Sequence, residues 1–210
     1  MRTVFSVHYP TPTPTAQDAA AAHYQRLIKV RGGGAVHIAG TFPDKNTPEG
    51  QPGPSFTLYE DVAGQRPICS VAARTAGAHT GAGTALAVTG PDGIELGVLR
   101  LPARGSGGRR RYEVELPDGT SLVGRSGTIS AWILYVLLSP LLLIYNVASL
   151  VGGYGRPDWH LPSRTAWRPR GGLGPAPLKF FGMTDKYKAR TSHLDLRVAY
   201  AQAVLHEWDE

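Results

Sequence analysis

The sequence predicts a mainly β protein that is built from antiparallel hairpins and interrupted by one hydrophobic segment. From Phe56 onward, short stretches of alternating apolar and polar residues are separated by glycine-containing turns, the pattern of consecutive hairpins. An uncharged run from Ala131 to Val151 spans about 30 Å at helical rise, the hydrocarbon thickness of a bilayer. One hairpin cannot bury its apolar face alone, so we expect the hairpins to pack as a sandwich or a barrel.

The segment before this pattern is interrupted by frequent breakers of regular structure. TPTPT, GGG and TPEGQPGP each prevent a long helix or strand. This composition predicts a flexible leader, with one short helix that begins at Thr15 or Asp18 and ends at Val30. The predicted domains are the leader at 1–54, a β domain at 55–208 and, inside that domain, a hydrophobic membrane segment at 129–152.

The two clearest hairpins are internal copies of one another. LAVTGPDGIELGVLR at 86–100 aligns with YEVELPDGTSLVGRS at 112–126, so that Asp92 corresponds to Asp118. Pro followed by Asp and Gly is typical of a tight turn, because proline presets one backbone angle and glycine accepts a positive φ. Turn formation explains both Asp residues, so the sequence gives little support to a pair of catalytic carboxylates.

The apolar run has two interpretations, a membrane segment or a helix in a protein core. Helices in soluble cores rarely lack charges over this length, which favours the membrane. Pro140 removes a backbone hydrogen-bond donor near the middle and predicts a kink or a hairpin bend. Aromatic rings towards both ends suit a membrane interface. The residues assigned to the predicted anchor are Trp132, Leu137, Pro140, Leu143 and Tyr145.

Further strands and a helix are predicted after the apolar run. The strands are SRTAWRPR at 163–170 and a hairpin made of LKFFGM at 178–183 and KYKAR at 186–190. From His193 to Trp208, apolar residues recur at steps of four and three. This spacing predicts a helix with one apolar stripe that packs on the core.

This order of elements resembles the tubby-like barrel superfamily, which includes the LURP-one-related proteins and the phospholipid scramblases. The resemblance rests on FTLYEDVAGQRPICSV, the two PDG hairpins, LKFFGMTDKYKAR and the C-terminal LDLRVAYAQAVLHEW, about half of the chain. It implies a closed antiparallel β-barrel around the C-terminal helix, with a role in contacting membrane lipids. Scramblases carry cysteine clusters for lipidation, whereas this chain has only Cys69, so no lipid anchor of that kind is transferred.

A membrane segment inserted between two strands of one barrel limits the ways in which the chain can enter the bilayer. If the apolar run crossed the bilayer once, the two parts of one barrel would lie on opposite sides of the membrane. A re-entrant hairpin that bends at Ser139 and Pro140 avoids this conflict, with limbs of about 15 Å at helical rise. A helix lying in the interface is a third arrangement, but such helices have a charged face, which this run lacks.

The chain is basic, with 22 Lys and Arg against 16 Asp and Glu and a net charge of +6. Cations beside an anionic bilayer each contribute about 1 kcal/mol, so basic flanks reinforce an apolar anchor. Nucleic-acid binding is not favoured, because the aromatic residues are not interleaved with the cations. The predicted lipid-contacting residues are Arg109, Arg110, Arg111, Arg125 and Arg156.

The sequence carries no recognisable motif for catalysis. It lacks CxxC, HExxH, GxSxG and the P-loop, and His193, Asp195 and His206 do not have the spacing of a metal site. We therefore expect no enzyme activity, no cofactor and no metal. The sequence predicts a non-enzymatic protein of the cell membrane, whose cytoplasmic β domain contacts anionic phospholipids. The alternative is an interaction subunit of a membrane or soluble assembly, whose barrel binds a protein partner.

Overall fold

The computed structural model of the chain describes residues 1–8, 26–43, 53–74, 84–102, 110–125, 137, 139–140, 164–171 and 174–209. The strands within them are β1 (Arg2–His8), β2 (Arg26–Val30), β3 (Ala35–Thr41), β4 (Ser55–Tyr59), β5 (Pro67–Ala73), β6 (Ala85–Thr89), β7 (Glu95–Arg100), β8 (Arg111–Glu115), β9 (Ser121–Arg125), β10 (Arg164–Pro169), β11 (Leu178–Phe181) and β12 (Lys186–Arg190). A 3-10 turn, Gly182–Thr184, follows β11, and the C-terminal helix α1 is Leu196–Asp209.

The twelve strands form one closed antiparallel barrel. Each strand pairs with its neighbours in the sequence, and the barrel closes where β1 pairs with β12, with Arg2 opposite Arg190. Closure removes the unpaired edges that an open sheet exposes. The predicted mainly β, antiparallel barrel is therefore confirmed. Of the two packings that the hairpin pattern left open, the chain adopts the barrel.

The repeated hairpins have the turns that their sequences predict. The glycines of both PDG segments adopt φ values of 80° and 81°. Asp118 Oδ1 accepts a hydrogen bond from the backbone N–H of Thr120 at 2.8 Å, and Asp92 Oδ1 accepts one from Ile94 at 3.2 Å. The bond from Thr120 holds the pKa of the Asp118 carboxyl below its usual range. Both carboxylates thus stabilise turns, as the sequence indicated.

Helix α1 lies inside the barrel and shares one apolar core with the inward residues of the strands. It contacts β1, β5, β7 and β12, and every residue from Val198 to His206 is buried. The predicted apolar stripe is buried, but the other sides of the helix are buried too. Alanines at 199, 201 and 203 make this arrangement sterically possible, because their small side chains let the strands approach the helix from several directions.

The prediction of a flexible leader at 1–54 is wrong for the part of that segment that the structure describes. These residues form β1, β2 and β3, which link β12 to β4 around the barrel. Residues 9–25 lie outside the described part, but the predicted helix is wrong at its C-terminal end, because Arg26–Val30 is strand β2. Phe5 and Ile28 are buried in the core. Segments rich in Pro and Gly interrupt the sequence around these strands, and β12, which pairs with β1, lies at the other end of the chain.

Most connections between strands are short at one end of the barrel and long at the other. Short turns join β2 to β3, β4 to β5, β6 to β7 and β8 to β9 at one end, which we call the turn end. At the opposite end, the loop end, longer connections join β1 to β2, β3 to β4, β5 to β6, β7 to β8 and β9 to β10. Helix α1 finishes at the loop end, where Trp208 Nε1 donates a hydrogen bond to the carbonyl of Pro43 at 3.2 Å.

Most of the predicted membrane segment lies outside the described residues. Leu137, Ser139 and Pro140 are described and have helical backbone geometry, and Leu137 is 72% exposed. Among the described residues, no helix combines the length and the apolarity that crossing a membrane requires. The predicted anchor residues outside the described part are Trp132, Leu143 and Tyr145.

Candidate functional site

The outer surface of four neighbouring strands, β10, β11, β12 and β1, is strongly basic. Side chains alternate along a strand, so every second residue of each points outward. Seven Lys and Arg side chains occupy these outward positions, and the four strands contain no Asp or Glu. This basic face consists of Arg2, Arg164, Arg168, Lys179, Lys186, Lys188 and Arg190.

Strand pairing places several of these cations side by side. Lys179 on β11 lies opposite Lys188 on β12, and Arg2 on β1 lies opposite Arg190. Like charges at paired positions of a sheet repel one another and destabilise it. The basic face therefore carries an electrostatic cost, which an anionic partner would relieve.

Lys179 lies near the centre of the basic face, where its pKa is lowered. Partial burial lowers the pKa of Lys179, and the positive charges of Arg164, Arg190, Arg168 and Arg2 lower it further. Both effects disfavour the protonated amine. A bound anion would favour it again.

The basic face lacks the acids that accompany other Arg residues of the barrel. Arg100 is paired with Glu115 at 3.1 Å, and Arg197 with Asp195 at 2.7 Å. In the part of the chain that the structure describes, none of the seven cations of the basic face forms an ion pair. Arg164 Nε is buried there without a hydrogen-bond acceptor. The charges of this face are therefore available to an anionic ligand.

Two of the Arg residues predicted to contact lipids are paired with acids instead. Arg110 lies 3.2 Å from Asp209 Oδ2, and Arg111 lies 3.2 Å from Glu113 Oε1. Arg125 is exposed at the end of β9, opposite Arg111 on β8, and β9 borders the basic face by pairing with β10. The two remaining predicted residues, Arg109 and Arg156, lie outside the described residues.

Sequence reasoning did not identify the basic face, although its signal is present in two strands. In RTAWRP and KYKAR, cations alternate with inward-facing residues, which places the cations of each strand on one side. The missing information was which strands are neighbours. β1 and β12 lie at opposite ends of the chain and pair only when the barrel closes.

A second group of polar side chains lies inside the barrel. His206 on α1 is fully buried, with Nδ1 2.9 Å from Tyr187 Oη and Nε2 3.2 Å from Thr165 Oγ1. Tyr187 Oη also donates a hydrogen bond to Glu207 at 2.8 Å. Burial, with a smaller contribution from the positive charge of Arg110, lowers the pKa of His206 to about 3. The neutral imidazole therefore joins α1 to β10 and β12.

The structure separates the residues considered for a metal site. His193 and Asp195 precede α1 at the turn end, whereas His206 lies near the other end of the helix. Asp195 instead accepts hydrogen bonds from the backbone and the guanidinium of Arg197. Across the described ranges, no three His, Cys, Asp or Glu side chains are grouped so that they would hold a metal ion.

The single cysteine lies in the core of the barrel. Cys69 on β5 is 1% exposed, and its Sγ lies 3.9 Å from the carbonyl oxygen of Arg197 at the start of α1. Burial raises the pKa of this thiol to about 12. Because the thiolate is the reactive form, Cys69 is expected to be inert towards thiol reagents in the folded protein.

A cavity of about 440 Å³ opens at the turn end, between the β8–β9 turn and the residues that precede α1. Asp118, Thr120, Ser192 and His193 supply its polar wall, and prolines, leucines and Gly174 supply the rest. The Asp118 carboxylate is engaged with its own turn. Within the described residues, no hydrogen bond joins Asp118, Ser192 and His193 through their side chains, so the cavity shows no assembled nucleophile and base.

Comparisons with known proteins assign no relative to this fold. No family model matches the chain, and no curated protein or solved structure matches it.

Proposed function

We propose that this protein is a non-enzymatic, membrane-associated barrel that contacts anionic phospholipids through its basic face. The observation that carries the proposal is the set of seven outward cations on four adjacent strands that contain no acid. Each cation near an anionic membrane surface contributes about 1 kcal/mol, so several acting together give substantial affinity. The lipid-contacting surface is thus centred on β10 to β12 and β1, and Arg125 extends it.

The proposal includes an anchor at 129–152 that enters and leaves the membrane on the same side. Strands β9 and β10, which precede and follow this segment, are hydrogen-bonded neighbours, with Arg125 opposite Ala166. Both ends of the intervening chain therefore start from one point at the loop end of the barrel. A single crossing would separate two paired strands, so the pairing supports a segment that returns to the same side of the membrane.

We also propose that the chain belongs to the tubby-like barrel superfamily, with the barrel on the cytoplasmic side of the cell membrane. A closed barrel of twelve antiparallel strands around a C-terminal helix is the architecture that the resemblance implies, and this supports the assignment. The single buried cysteine and the basic surface suit a reducing compartment that faces anionic lipids.

Binding to vesicles tests the lipid contact. Full-length protein is mixed with preformed phosphatidylcholine vesicles, with and without phosphatidylserine, and recovered by flotation at low and high salt. We expect binding to require the anionic lipid and to weaken with salt. Replacing Lys179 and Lys188 by Ala removes two cations of about 1 kcal/mol each, so affinity should fall about 30-fold.

The matched control removes the same charge from the opposite side of the barrel. Arg66 and Arg74 are exposed at the two ends of β5, and the Arg66→Ala/Arg74→Ala variant should bind vesicles like the parent chain. Equal losses in both double variants would show a response to net charge alone. Binding that ignores lipid charge and salt would contradict the proposal and favour the protein-binding alternative.

Cysteine labelling tests the same-side anchor. Because Cys69 is inert, Arg100→Cys at the loop end and Arg170→Cys at the turn end each introduce one reactive thiol. In sealed proteoliposomes, a membrane-impermeant maleimide should modify both positions from the same side. The unsubstituted chain, which should remain unlabelled until it is denatured, is the control. Labelling of the two positions from opposite sides would refute the hairpin.

A further inference from the structure

The basic face contains one aromatic residue, Phe181, which points away from the core. In β11, Leu178 and Phe180 are buried inside the barrel, so the alternation turns Lys179 and Phe181 outward. Phe181 is only partly buried and is not a member of the core cluster. The ring of Phe181 therefore lies on the outer surface of the barrel, among the cations of the basic face.

Phe181 is enclosed by cations on neighbouring strands. It lies opposite Arg164 on β10 and opposite Lys186 on β12. The guanidinium carbon of Arg164 and Nζ of Lys188 each lie 4.9 Å from the centre of the ring. Cations at this distance interact with the face of an aromatic ring and are held beside it. The apolar ring is therefore flanked by positive charges from both neighbouring strands.

This combination matches the chemistry of an anionic membrane surface. Lipid phosphates would bind the cations, while the phenyl ring between them would reach the boundary between headgroups and acyl chains. The position of Phe181 agrees with this partner, because it ends β11 at the loop end of the barrel. Arg164, opposite Phe181, begins β10, the strand that follows the connection containing the proposed anchor.

We infer that Phe181 enters the interfacial region of an anionic bilayer while Arg164 and Lys188 bind lipid phosphates on either side of it. The barrel then docks through the outer surface of β10, β11, β12 and β1, with Phe181 at the loop end of that surface. This inference rests on the proposed function and adds to it a defined contact point and a defined orientation.

A fluorophore attached to single cysteines tests the depth of Phe181. Phe181→Cys and, as the control, Ser70→Cys are labelled with the environment-sensitive dye NBD in the full chain, in which Cys69 is inert. Ser70 lies on β5, six strands from β11 in the ring of twelve, and so on the opposite side of the barrel. On phosphatidylserine-containing vesicles, the dye at 181 should shift to the blue and resist an aqueous quencher. The dye at 70 should do neither.

An alanine variant provides a second measurement that needs no label. Phe181→Ala should bind the same vesicles about tenfold more weakly or worse, since a phenyl ring no longer leaves water on binding. Ile94→Ala removes apolar surface from an exposed turn-end residue and should bind like the parent. Phe181→Trp should keep the affinity, and circular dichroism should show that all three variants are folded.

The outcomes separate this inference from the function on which it rests. If the chain still floats with anionic vesicles in a salt-dependent way, but the dye at 181 behaves like the dye at 70, Phe181 does not enter the bilayer and only the inference fails. Unchanged affinity in Phe181→Ala would overturn it in the same way. If neither lipid charge nor salt affects binding, the proposed function is wrong, and the inference that rests on it is wrong as well.

Discussion

Replacement of Trp167 by Ala should lower the free energy of unfolding by about 3–5 kcal/mol, the largest single-residue effect that we expect in this protein. Trp167 is fully buried on the inner side of β10, and its ring centre lies 5.4 Å from that of His206 and 6.2 Å from that of Tyr112. A Cβ on Gly124 of the paired strand β9 would lie 2.5 Å from Trp167 Nε1, so this glycine provides the space that the indole fills. Urea unfolding followed by circular dichroism measures the loss.

The next residue on the same strand is the control. Arg168 points outward and is exposed, so Arg168→Ala should change stability by no more than about 0.5 kcal/mol. Affinity for anionic vesicles should show the reverse pattern. Arg168→Ala should bind more weakly because it has lost a cation of the basic face, whereas folded Trp167→Ala protein should bind like the parent chain. A stability loss below about 1 kcal/mol for Trp167→Ala would contradict a core packed around this indole.

Acidification should destabilise the barrel through His206. The unfolded chain protonates this residue near its ordinary pKa of 6.5, whereas the folded barrel resists protonation until about pH 3. Between these values the unfolded state binds one more proton, so the contribution of His206 to stability falls by about 1.4 kcal/mol for each unit of decrease in pH. The contribution is complete above pH 6.5 and is lost progressively down to about pH 3.

The neighbouring Glu207 acts in the opposite direction, so a difference between variants is needed. Burial raises the pKa of Glu207, which means that the folded state takes up a proton before the unfolded state does as the pH falls. Glu207 therefore adds stability on acidification and partly masks the effect of His206. The stability of the parent minus that of His206→Gln, measured by urea unfolding from pH 7 to 4, isolates the histidine. This difference should shrink steadily with decreasing pH, and a constant difference would refute a neutral buried imidazole.

Local chemistry made several parts of the fold predictable. The PDG turns require a preset proline, an Asp that accepts a backbone N–H and a glycine with positive φ, and all three requirements are visible in a few consecutive residues. Alternation identified the strands from Phe56 onward, because each of them buries one side. The C-terminal helix was predicted from its apolar spacing, three residues too early at its start.

The errors have a common physical origin in contacts between distant residues. β1 is stabilised by β12, which lies at the other end of the chain, so nothing near Arg2–His8 marks it as part of a barrel. The all-round burial of α1 depends on strands that approach it from several sides. The Arg residues chosen from local charge density included Arg110 and Arg111, whose acidic partners become evident only after folding.

The sequence by itself determined the hairpins, their turns, the C-terminal helix and the basic excess, since each of these depends on residues close together in the chain. Only the tertiary structure decided that the hairpins close into a barrel and that the helix lies inside it. It also decided that cations from β1, β10, β11 and β12 share one outer face around Phe181. Charge acts through distances in space, and those distances are fixed when β12 pairs with β1.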